Sequence, residues 1–273
     1  MELRDRVVVI TGGGSGIGEA LAHAAVAEGA RHVVVADLHA DEAARVARDV
    51  DGTGMGLDVR DEAAIVDLVE RTEARHGPID LFCSNAGIVS RGGVEESNEV
   101  VQAMWEIHVL AHLYAARAVL PSMIARGEGY LLNTASAAGL LAQIGSMAYS
   151  VTKHAAVALA EWLAITHRHQ GIRVSVLCPQ AVRTNLRANS PIDDADSGPR
   201  PAAVDGILEA GDVAASCVEA LRTERFWVLP HPDVADYHRR KADDVDRWLA
   251  GMRRFQDRLY AGSPLPGDAI ASS

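Results

Sequence analysis

The stretch YSVTK places a tyrosine and a lysine four positions apart, at Tyr149 and Lys153. On a helix, residues i and i+4 lie on the same face, so we expect the two side chains to be neighbours. A free tyrosine has a pKa of about 10 and is a poor base at neutral pH, but a nearby cation stabilises the phenolate and lowers that pKa. The pair is therefore a candidate acid/base for a hydroxyl proton.

The lysine at position 153 is unusual for this chain. Of the 26 basic residues 24 are arginines, and Lys241 is the only other lysine. Lys153 is also the first charged residue after 24 uncharged positions, 129–152. An ammonium is compact and has three donors, enough to hold the ribose hydroxyls of a cofactor while its charge acts on the phenol. Arginine has a higher pKa and a planar fork, so we interpret Lys153, unlike Lys241, as a lysine that arginine cannot replace.

Ser136 stands 13 residues before Tyr149, just after the apolar run YLLNTA. Oxidation of an alcohol needs a base for the hydroxyl proton, and reduction of a ketone needs an acid. Ser136 would donate a hydrogen bond to the substrate oxygen and stabilise charge that develops there. Each residue alone could be an ordinary loop or surface side chain, but together with the glycine-rich turn described next they favour a catalytic site.

A glycine-rich turn follows the first apolar run, in VVVITGGGSGIG. Its spacing is Gly12-x-x-x-Gly16-x-Gly18, which does not fit the register G-x-G-x-x-G. Glycines let the backbone approach a phosphate closely, and the free N–H groups at the start of a helix attract its charge. The turn therefore predicts a nucleotide-binding site at the end of the first strand.

Asp37 closes the second apolar run, where a carboxylate can accept hydrogen bonds from the adenosine ribose hydroxyls. It would repel a 2′-phosphate, and the glycine turn and Leu38 supply no cation to neutralise one. The sequence therefore favours NAD(H) over NADP(H). Asp37 could at the same time cap the helix that we expect to start near Ala40.

Seven apolar runs alternate with longer segments whose apolar residues recur at helical spacing. Continuous β-branched runs indicate strands buried on both faces, and their alternation with helices indicates a parallel sheet. We predict a doubly wound α/β fold with a seven-stranded parallel sheet and helices on both faces, in one domain over residues 1–260. The predicted strands are Val7–Ile10, His32–Ala36, Met55–Val59, Ile79–Ser84, Tyr130–Ala135, Val174–Cys178 and Phe226–Leu229.

Three segments fall outside this alternation. Residues 187–206 contain three prolines and few large apolar groups, and we predict a mobile substrate loop. Residues 233–260 are densely charged but carry apolar residues at helical spacing, which predicts a helical extension whose apolar face is covered by its own domain or by a neighbouring subunit. Residues 261–273 have the composition of a disordered tail.

The composition excludes several classes of function. A net charge of −11 argues against nucleic acid or an anionic membrane as the main partner. The N-terminus has no signal-peptide pattern, and the three cysteines and eleven histidines lack metal-ligand spacing, so we expect a cytoplasmic protein without a metal site.

In these motifs the sequence resembles the short-chain dehydrogenase/reductase family, over roughly residues 5–230. The resemblance rests on six elements in order: TGGGSGIG (Thr11–Gly18), LDV (Leu57–Val59), SNAG (Ser84–Gly87), Ser136, Tyr149-x-x-x-Lys153 and Pro179…Thr184. It implies a Rossmann-type fold and a homodimer or homotetramer whose interface involves the helices around 98–126 and 148–169. It also implies that Asp58 and Val59 contact the adenine, and that Val182 and Thr184 hold the nicotinamide carboxamide. The cofactor-binding candidates are Gly12, Ser15, Gly16, Ile17, Gly18, Asp37, Leu38, Asp58, Val59, Asn85, Ala86, Gly87, Pro179, Val182 and Thr184, together with Tyr149 and Lys153.

Two positions depart from the family pattern. His108 stands where the family usually has an asparagine, whose backbone carbonyl holds a water that relays protons from the lysine. The carbonyl survives the substitution, so we expect the relay to persist; alternatively His108 titrates and joins it as a catalytic residue. Gln180 replaces a glycine after Pro179 and could face the substrate.

The sequence thus predicts an NAD-dependent oxidoreductase that acts on a secondary alcohol or ketone, with an apolar or alicyclic small-molecule substrate. Tyr149 would be the acid/base, with Lys153 and Ser136 beside it. Two alternatives are a non-catalytic dinucleotide sensor on the same fold, and an epimerase or dehydratase that uses tightly bound NAD.

Overall fold

The computed structural model describes residues 1–186, 190, 201–261 and 264. The strands in this part of the chain are β1 Val7–Thr11, β2 His32–Asp37, β3 Thr53–Gly56, β4 Leu81–Ser84, β5 Gly129–Thr134, β6 Ile172–Leu177, β7 Val182–Arg183, β8 Leu208–Glu209 and β9 Trp227–Val228. The helices are α1 Gly16–Ala27, α2 Ala40–Asp49, α3 Glu62–His76, α4 Asn98–Trp105, α5 Ala111–Arg126, α6 Ala138–Leu141, α7 Met147–His167, α8 Ala210–Thr223, α9 Asp233–Asp243 and α10 Val245–Leu259. A π-helical turn, Glu106–Leu110, joins α4 to α5, and 3-10 turns lie at Arg168–Gln170 and Pro201–Ala203.

Seven strands form one sheet in the order β3-β2-β1-β4-β5-β6-β9. Every neighbouring pair is parallel, which confirms the predicted seven-stranded parallel sheet. From β1 the chain builds outward to β3 on one side and, after β4, to β9 on the other. Ligands of open α/β sheets bind at such a reversal, outside the carboxyl ends of the strands, here β1 and β4.

The residues of β1 show how the sheet is buried on both faces. Val7 and Val9 pack into a core with α3, α5 and α7, whereas Val8 and Ile10 pack into a second core with α1, α2 and α8. None of the four is more than 1% exposed. Because successive side chains of a strand point to opposite faces, an unbroken apolar run requires helices on both sides, as predicted.

The third strand lies two or three residues before its predicted position, Met55–Val59. A Cβ on Gly54 of β3 would lie 2.8 Å from the Cα of Ala44 in α2, so this position requires glycine. The glycine interrupts the apolar run by which the sequence would identify the strand. The strand ends before Asp58, whose Oδ1 accepts a hydrogen bond from the Arg60 N–H at 3.0 Å. Such local side-chain bonds turn the chain out of a sheet.

A separate pair of short parallel strands, β7 and β8, was not predicted. Two-residue strands carry no periodic pattern by which sequence could identify them. They flank the predicted substrate loop 187–206, of which 187–189 and 191–200 lie outside the described residues. Most of the predicted tail 261–273 lies outside them as well.

The predicted helical extension consists of two helices, α9 and α10. On α10, Trp248, Met252, Phe255 and Leu259 are half-buried, and no residue of this helix is fully buried. The apolar face is therefore only partly covered by its own chain.

The helical stretch Asn98–Arg126, which includes α4 and α5, is long and apolar enough to cross a bilayer, and half of its most apolar window is buried in the protein. Core helices meet the same criterion, so this is weak evidence for a membrane span.

Candidate active site

Three predicted catalytic side chains lie on the wall of one cavity of about 620 Å³. Tyr149 and Lys153 lie in the first two turns of α7, and Ser136 follows the end of β5. Their exposed fractions are 8%, 3% and 7%, so water is largely excluded from all three. Lys153 Nζ donates a hydrogen bond to the Thr134 carbonyl oxygen at 3.0 Å and lies 5.6 Å from the centroid of the Tyr149 ring.

The Ser136 hydroxyl is held by the ends of two strands. Its Oγ accepts a hydrogen bond from the Ala138 N–H at 3.1 Å and donates one to the Pro179 carbonyl oxygen at 3.4 Å. The same carbonyl accepts the Ala137 N–H at 2.9 Å, which ties the chain after β5 to the chain after β6. Burial raises the pKa of the Tyr149 phenol, and the nearby Ser136 hydroxyl opposes that rise.

Burial dominates the pKa values of the tyrosine and the lysine. It raises the pKa of Tyr149 overall, against the effect of Ser136, and it lowers the pKa of Lys153 from 10.5 to about 7. The expectation that Lys153 depresses the pKa of Tyr149 therefore stays a prediction. Both charged forms lose hydration in the interior, and this loss is the largest cause of each shift.

His108 lies in the π-helical turn and is fully buried, with its ring edge-on to Tyr149 at 5.5 Å between centroids. The Ile88 N–H donates to His108 Nε2 at 3.2 Å, so Nε2 carries no proton. The proton is therefore on Nδ1, which lies 2.9 Å from Thr152 Oγ1. Burial, followed by the charge of Lys153, holds the pKa of His108 well below its usual range. These contacts favour a neutral, structural ring over a titrating relay.

Thr152 is a site residue that sequence reasoning missed, although it stands inside YSVTK. Its hydroxyl donates to the Ala148 carbonyl oxygen at 2.9 Å, which leaves its lone pair for His108. A signal was present, since Thr152 follows Tyr149 by three positions and so shares its face of α7.

The glycine-rich turn between β1 and α1 is tightly constrained. Gly12 and Gly16 have φ values of +63° and +56°, a left-handed conformation that favours glycine. A Cβ on Gly12 would lie 2.7 Å from the Ala86 Cα, and one on Gly18 would lie 2.1 Å from the Gly12 carbonyl oxygen. Ser15 is the N-cap of α1 without a side-chain cap bond, so the turn presents a hydroxyl and a helix N-terminus to the cavity.

Asn85 links this turn to the catalytic side of the cavity. Its Nδ2 donates to the carbonyl oxygens of Thr11 at 3.2 Å and Gly12 at 3.1 Å, and its Oδ1 accepts from Thr134 Oγ1 at 3.1 Å. Lys153 binds the carbonyl of the same Thr134. The sequence predicted Asn85 only as a cofactor contact. The structure gives it a structural role as well, because its hydrogen bonds fix the ends of β1, β4 and β5 against one another.

Asp37 bounds the far end of the cavity beside the exposed Leu38. Its Oδ2 accepts the Gly14 N–H at 2.9 Å and its Oδ1 accepts the His39 N–H at 3.0 Å. The N-cap position of α2 is His39, so the suggestion that Asp37 caps this helix is wrong. Its carboxylate instead supports the glycine turn and keeps lone pairs for a ligand.

Two arginines near the cavity were not predicted. Arg45 donates to the Gly14 carbonyl oxygen at 3.0 Å and pairs with Glu19 and Glu42 at 2.8 Å each. The Arg60 guanidinium donates a hydrogen bond from Nη2 to Asp58 Oδ2 at 2.6 Å, and this bond lowers the pKa of the Asp58 carboxyl. Both cations are matched by carboxylates within the described part of the chain.

Nearly all predicted cofactor residues line the cavity: Gly12, Ser15, Gly16, Ile17, Asp37, Leu38, Asp58, Val59, Asn85, Ala86, Gly87, Pro179, Val182 and Thr184, with Tyr149 and Lys153. Two predicted residues do not: Gly18 packs behind the turn, and His108 lies behind Tyr149. Gln180 lines the cavity too, with its side-chain amide bound to Asp205 Oδ2 at 2.8 Å. Among the described residues, no cluster of His, Cys, Asp or Glu could hold a metal ion.

A glycine-rich turn at the β1/β4 reversal and a buried tyrosine–lysine pair line the same cavity, an arrangement that fits an oxidoreductase site. The family described as "short chain dehydrogenase" matches residues 6–195. The chain belongs to this family, which confirms the resemblance seen in the sequence, and it is an oxidoreductase of the class that acts on alcohols.

Known relatives agree with this assignment. The chain is 35% identical to 1-deoxy-11-beta-hydroxypentalenate dehydrogenase of Streptomyces exfoliatus over 259 residues, 92% of each chain. It is 32% identical to meso-2,3-butanediol dehydrogenase of Serratia marcescens over 219 residues, 79% of this chain and 86% of the other. A short-chain dehydrogenase/reductase of Burkholderia phymatum, solved in complex with NAD, superposes with a TM-score of 0.81 at 29% identity and covers 90% of this chain and 96% of its own.

Proposed function

We propose that the protein transfers a hydride between NAD(H) and a secondary alcohol or ketone, with Tyr149 as the acid/base. The observation that carries the proposal is that Ser136, Tyr149 and Lys153 lie on the wall of one cavity whose far end is bounded by Asp37. Such a cavity has a place for both reactants, with the proton-transfer groups at their meeting point.

The residues present fit a dinucleotide. At Gly12 and Gly16 the backbone has positive φ and a Cβ would clash with Ala86 or with Thr184, so the tight turn requires glycine. The N-terminus of α1, which follows this turn, would bind the pyrophosphate. Asp37 would accept the adenosine ribose hydroxyls, and Lys153 would donate to the hydroxyls of the second ribose. NAD is favoured over NADP because Asp37 carries a negative charge where a 2′-phosphate would lie, while Arg45 is already surrounded by acids.

In the oxidation direction Tyr149 takes the hydroxyl proton of the substrate, while Ser136 holds the same oxygen by a hydrogen bond. When bound, the nicotinamide supplies the acceptor for the hydride that leaves the carbinol carbon. Lys153 would hold the ribose hydroxyls of the cofactor, and its positive charge would favour the phenolate. Burial raises the pKa of Tyr149, so the proposal requires that the bound cofactor and substrate favour the phenolate.

The substrate is proposed to be apolar or alicyclic. The relatives named for 11-beta-hydroxypentalenate and for 2,3-butanediol act, by name, on hydroxylated compounds. Val89 and Ile107, together with Leu186, give this cavity apolar walls beside the catalytic residues.

The protein is further proposed to be a cytoplasmic homodimer or homotetramer. On α7 the large apolar side chains Val151, Trp162 and Ile165 are 52%, 56% and 80% exposed. A face of this kind on a long helix supports an interface between copies of the chain. Sedimentation of the purified protein tests this part of the proposal.

The central experiment compares the wild type with Tyr149→Phe on a panel of secondary alcohols and ketones, with NAD and NADP in parallel. The wild type is expected to change nicotinamide absorbance with NAD, and the variant to lose 10² to 10⁴ in rate while it still binds NADH. Full activity of Tyr149→Phe would refute the mechanism. Binding of NADH without any turnover would favour the dinucleotide sensor.

A further inference from the structure

A second cavity, of about 850 Å³, lies beside the catalytic one, and its lining contains none of Ser136, Tyr149 and Lys153. Gln143, Gln180 and Ala202 line both cavities, so the two adjoin. A molecule whose carbinol carbon lies at Tyr149 therefore has room to extend past Gln180. The volume is that of a site for a small organic molecule.

The walls of this cavity are apolar on two sides. Leu141 and Ile144 come from α6 and the loop that follows it, and Trp248, Met252 and Phe255 come from one face of α10. Trp248, Met252 and Phe255 belong to the apolar face of α10 that its own chain covers only in part. An apolar body between the two walls would bury them.

The charges along the cavity are mostly arginines of the helical extension. Arg240, Arg247, Arg254 and Arg258 line it, and none of them forms an ion pair with a described residue. Elsewhere the guanidinium groups of Arg6, Arg45, Arg60 and Arg222 are all paired with carboxylates.

The acids along the same cavity are Asp205, Asp243 and Asp244. Asp205 already accepts from Gln180 and Tyr237, and Asp244 caps α10 by accepting the Arg247 N–H. Four arginines against three aspartates leave one positive charge in excess, in a chain whose net charge is −11. This local excess fits a ligand with a single negative charge.

We propose that this second cavity holds the apolar body of the substrate and that Arg247 and Arg254 bind its carboxylate. The proposal rests on the proposed function and narrows it: the substrate is an apolar hydroxy acid whose carbinol and carboxylate stand at opposite ends. Arg247 and Arg254 are seven positions apart and so share one face of α10. A guanidinium binds a carboxylate through two parallel hydrogen bonds.

The test uses hydroxy acids on cyclohexane, decalin and steroid frames, each assayed beside its methyl ester with NAD. Wild type should favour at least one acid over its ester by about 10-fold or more in kcat/KM, the size of a charge-assisted hydrogen bond. The double variant Arg247→Gln/Arg254→Gln should lose this preference through a higher KM for the acid, so that the acid-to-ester ratio of kcat/KM falls to about one. Arg253→Gln is the matched control, because Arg253 lies on the same helix and outside the cavity lining.

Equal rates for acids and esters in the wild type, or an unchanged preference in the double variant, would overturn the proposal while leaving the proposed function intact. Failure of the proposed function is separate: neither acids nor esters would be turned over with NAD or NADP. Sedimentation of the double variant tests the alternative that this cavity is part of an interface between copies of the chain. A change in its mass without a change in acid preference would make this cavity an interface between copies of the chain, and would also overturn the assignment.

Discussion

Replacing Lys153 with methionine should stabilise the NAD-free protein at neutral pH while it abolishes turnover. Burial lowers the pKa of Lys153 from 10.5 to about 7. At about 1.4 kcal/mol per pKa unit, this is a penalty on the order of 4–5 kcal/mol for the ammonium at pH 7 and below. Methionine is unbranched and of similar length, but it leaves the Thr134 carbonyl without its donor, which costs about 1 kcal/mol. The expected net gain in the free energy of unfolding is roughly 3 kcal/mol.

The gain should depend on pH in one direction. Below pH 7 the lysine is mostly protonated in both the folded and the unfolded chain, so nearly the full penalty applies. Between about pH 7 and pH 10.5 the unfolded chain binds more protons than the folded one, and the wild type gains up to about 1.4 kcal/mol per pH unit. The variant lacks this group, so its advantage should vanish as the pH approaches 10.

Urea unfolding of both proteins at pH 6.5, 8 and 9.5 measures the effect, since the shift in midpoint at constant slope reports the stability difference. Lys241→Met is the control, because Lys241 also donates to a backbone carbonyl, that of Leu140 at 2.6 Å, but is only partly buried. The reasoning is refuted if Lys153→Met is less stable than wild type at pH 6.5, or if the difference is the same at every pH.

Three further predictions follow from the same structure. Asp37→Asn should raise the ratio of kcat/KM with NADP to kcat/KM with NAD by about 10-fold, because the charge that repels a 2′-phosphate is removed. An unchanged ratio at matched ionic strength would contradict the cofactor assignment. Asn85→Ala should lower the free energy of unfolding by about 2–3 kcal/mol and weaken NADH binding, because the hydrogen bonds to Thr11, Gly12 and Thr134 are lost. Urea unfolding measures the first effect and fluorescence titration the second. A loss of binding without a loss of stability would contradict the structural role. His112→Leu should make the protein more resistant to acid, because both ring nitrogens of His112 are buried without a partner among the described residues and burial lowers its pKa to about 3. Below about pH 6.5 this group should lower the free energy of unfolding of the wild type by roughly 1.4 kcal/mol per pH unit, so between pH 7 and pH 5 the variant should gain about 2 kcal/mol over the wild type. A variant of the exposed His23 should show no such gain. Acid-unfolding curves of wild type and His112→Leu that keep a constant separation would disprove the prediction.

Much of the fold could be predicted because burial on both faces leaves a direct trace in sequence. The runs Val7–Ile10 and His32–Ala36 are continuous and apolar, and both are central strands of the sheet. The third strand was misplaced because Gly54 meets α2 so closely that the apolar run is lost. The strands β7 and β8 are too short to carry a pattern at all.

The candidate site divides in the same way. Tyr149 and Lys153 meet because one helix holds them four residues apart, a relation that sequence spacing contains. The bonds of Asn85 to Thr134 and of His108 to Thr152 join positions 49 and 44 apart. Their partners are set by strand order and by the packing of α7, which no local spacing encodes.

The two lysines show where the sequence stops and the tertiary structure begins. Sequence alone identified Lys153 as exceptional, because it is a lysine in an arginine-rich chain and stands behind 24 uncharged positions. It could not indicate that burial would lower the pKa of this lysine rather than that of Tyr149, or that Lys241 would bind α6. Burial is the largest cause of the pKa shifts of Tyr149 and Lys153, and it exists only after the helices have packed on the sheet.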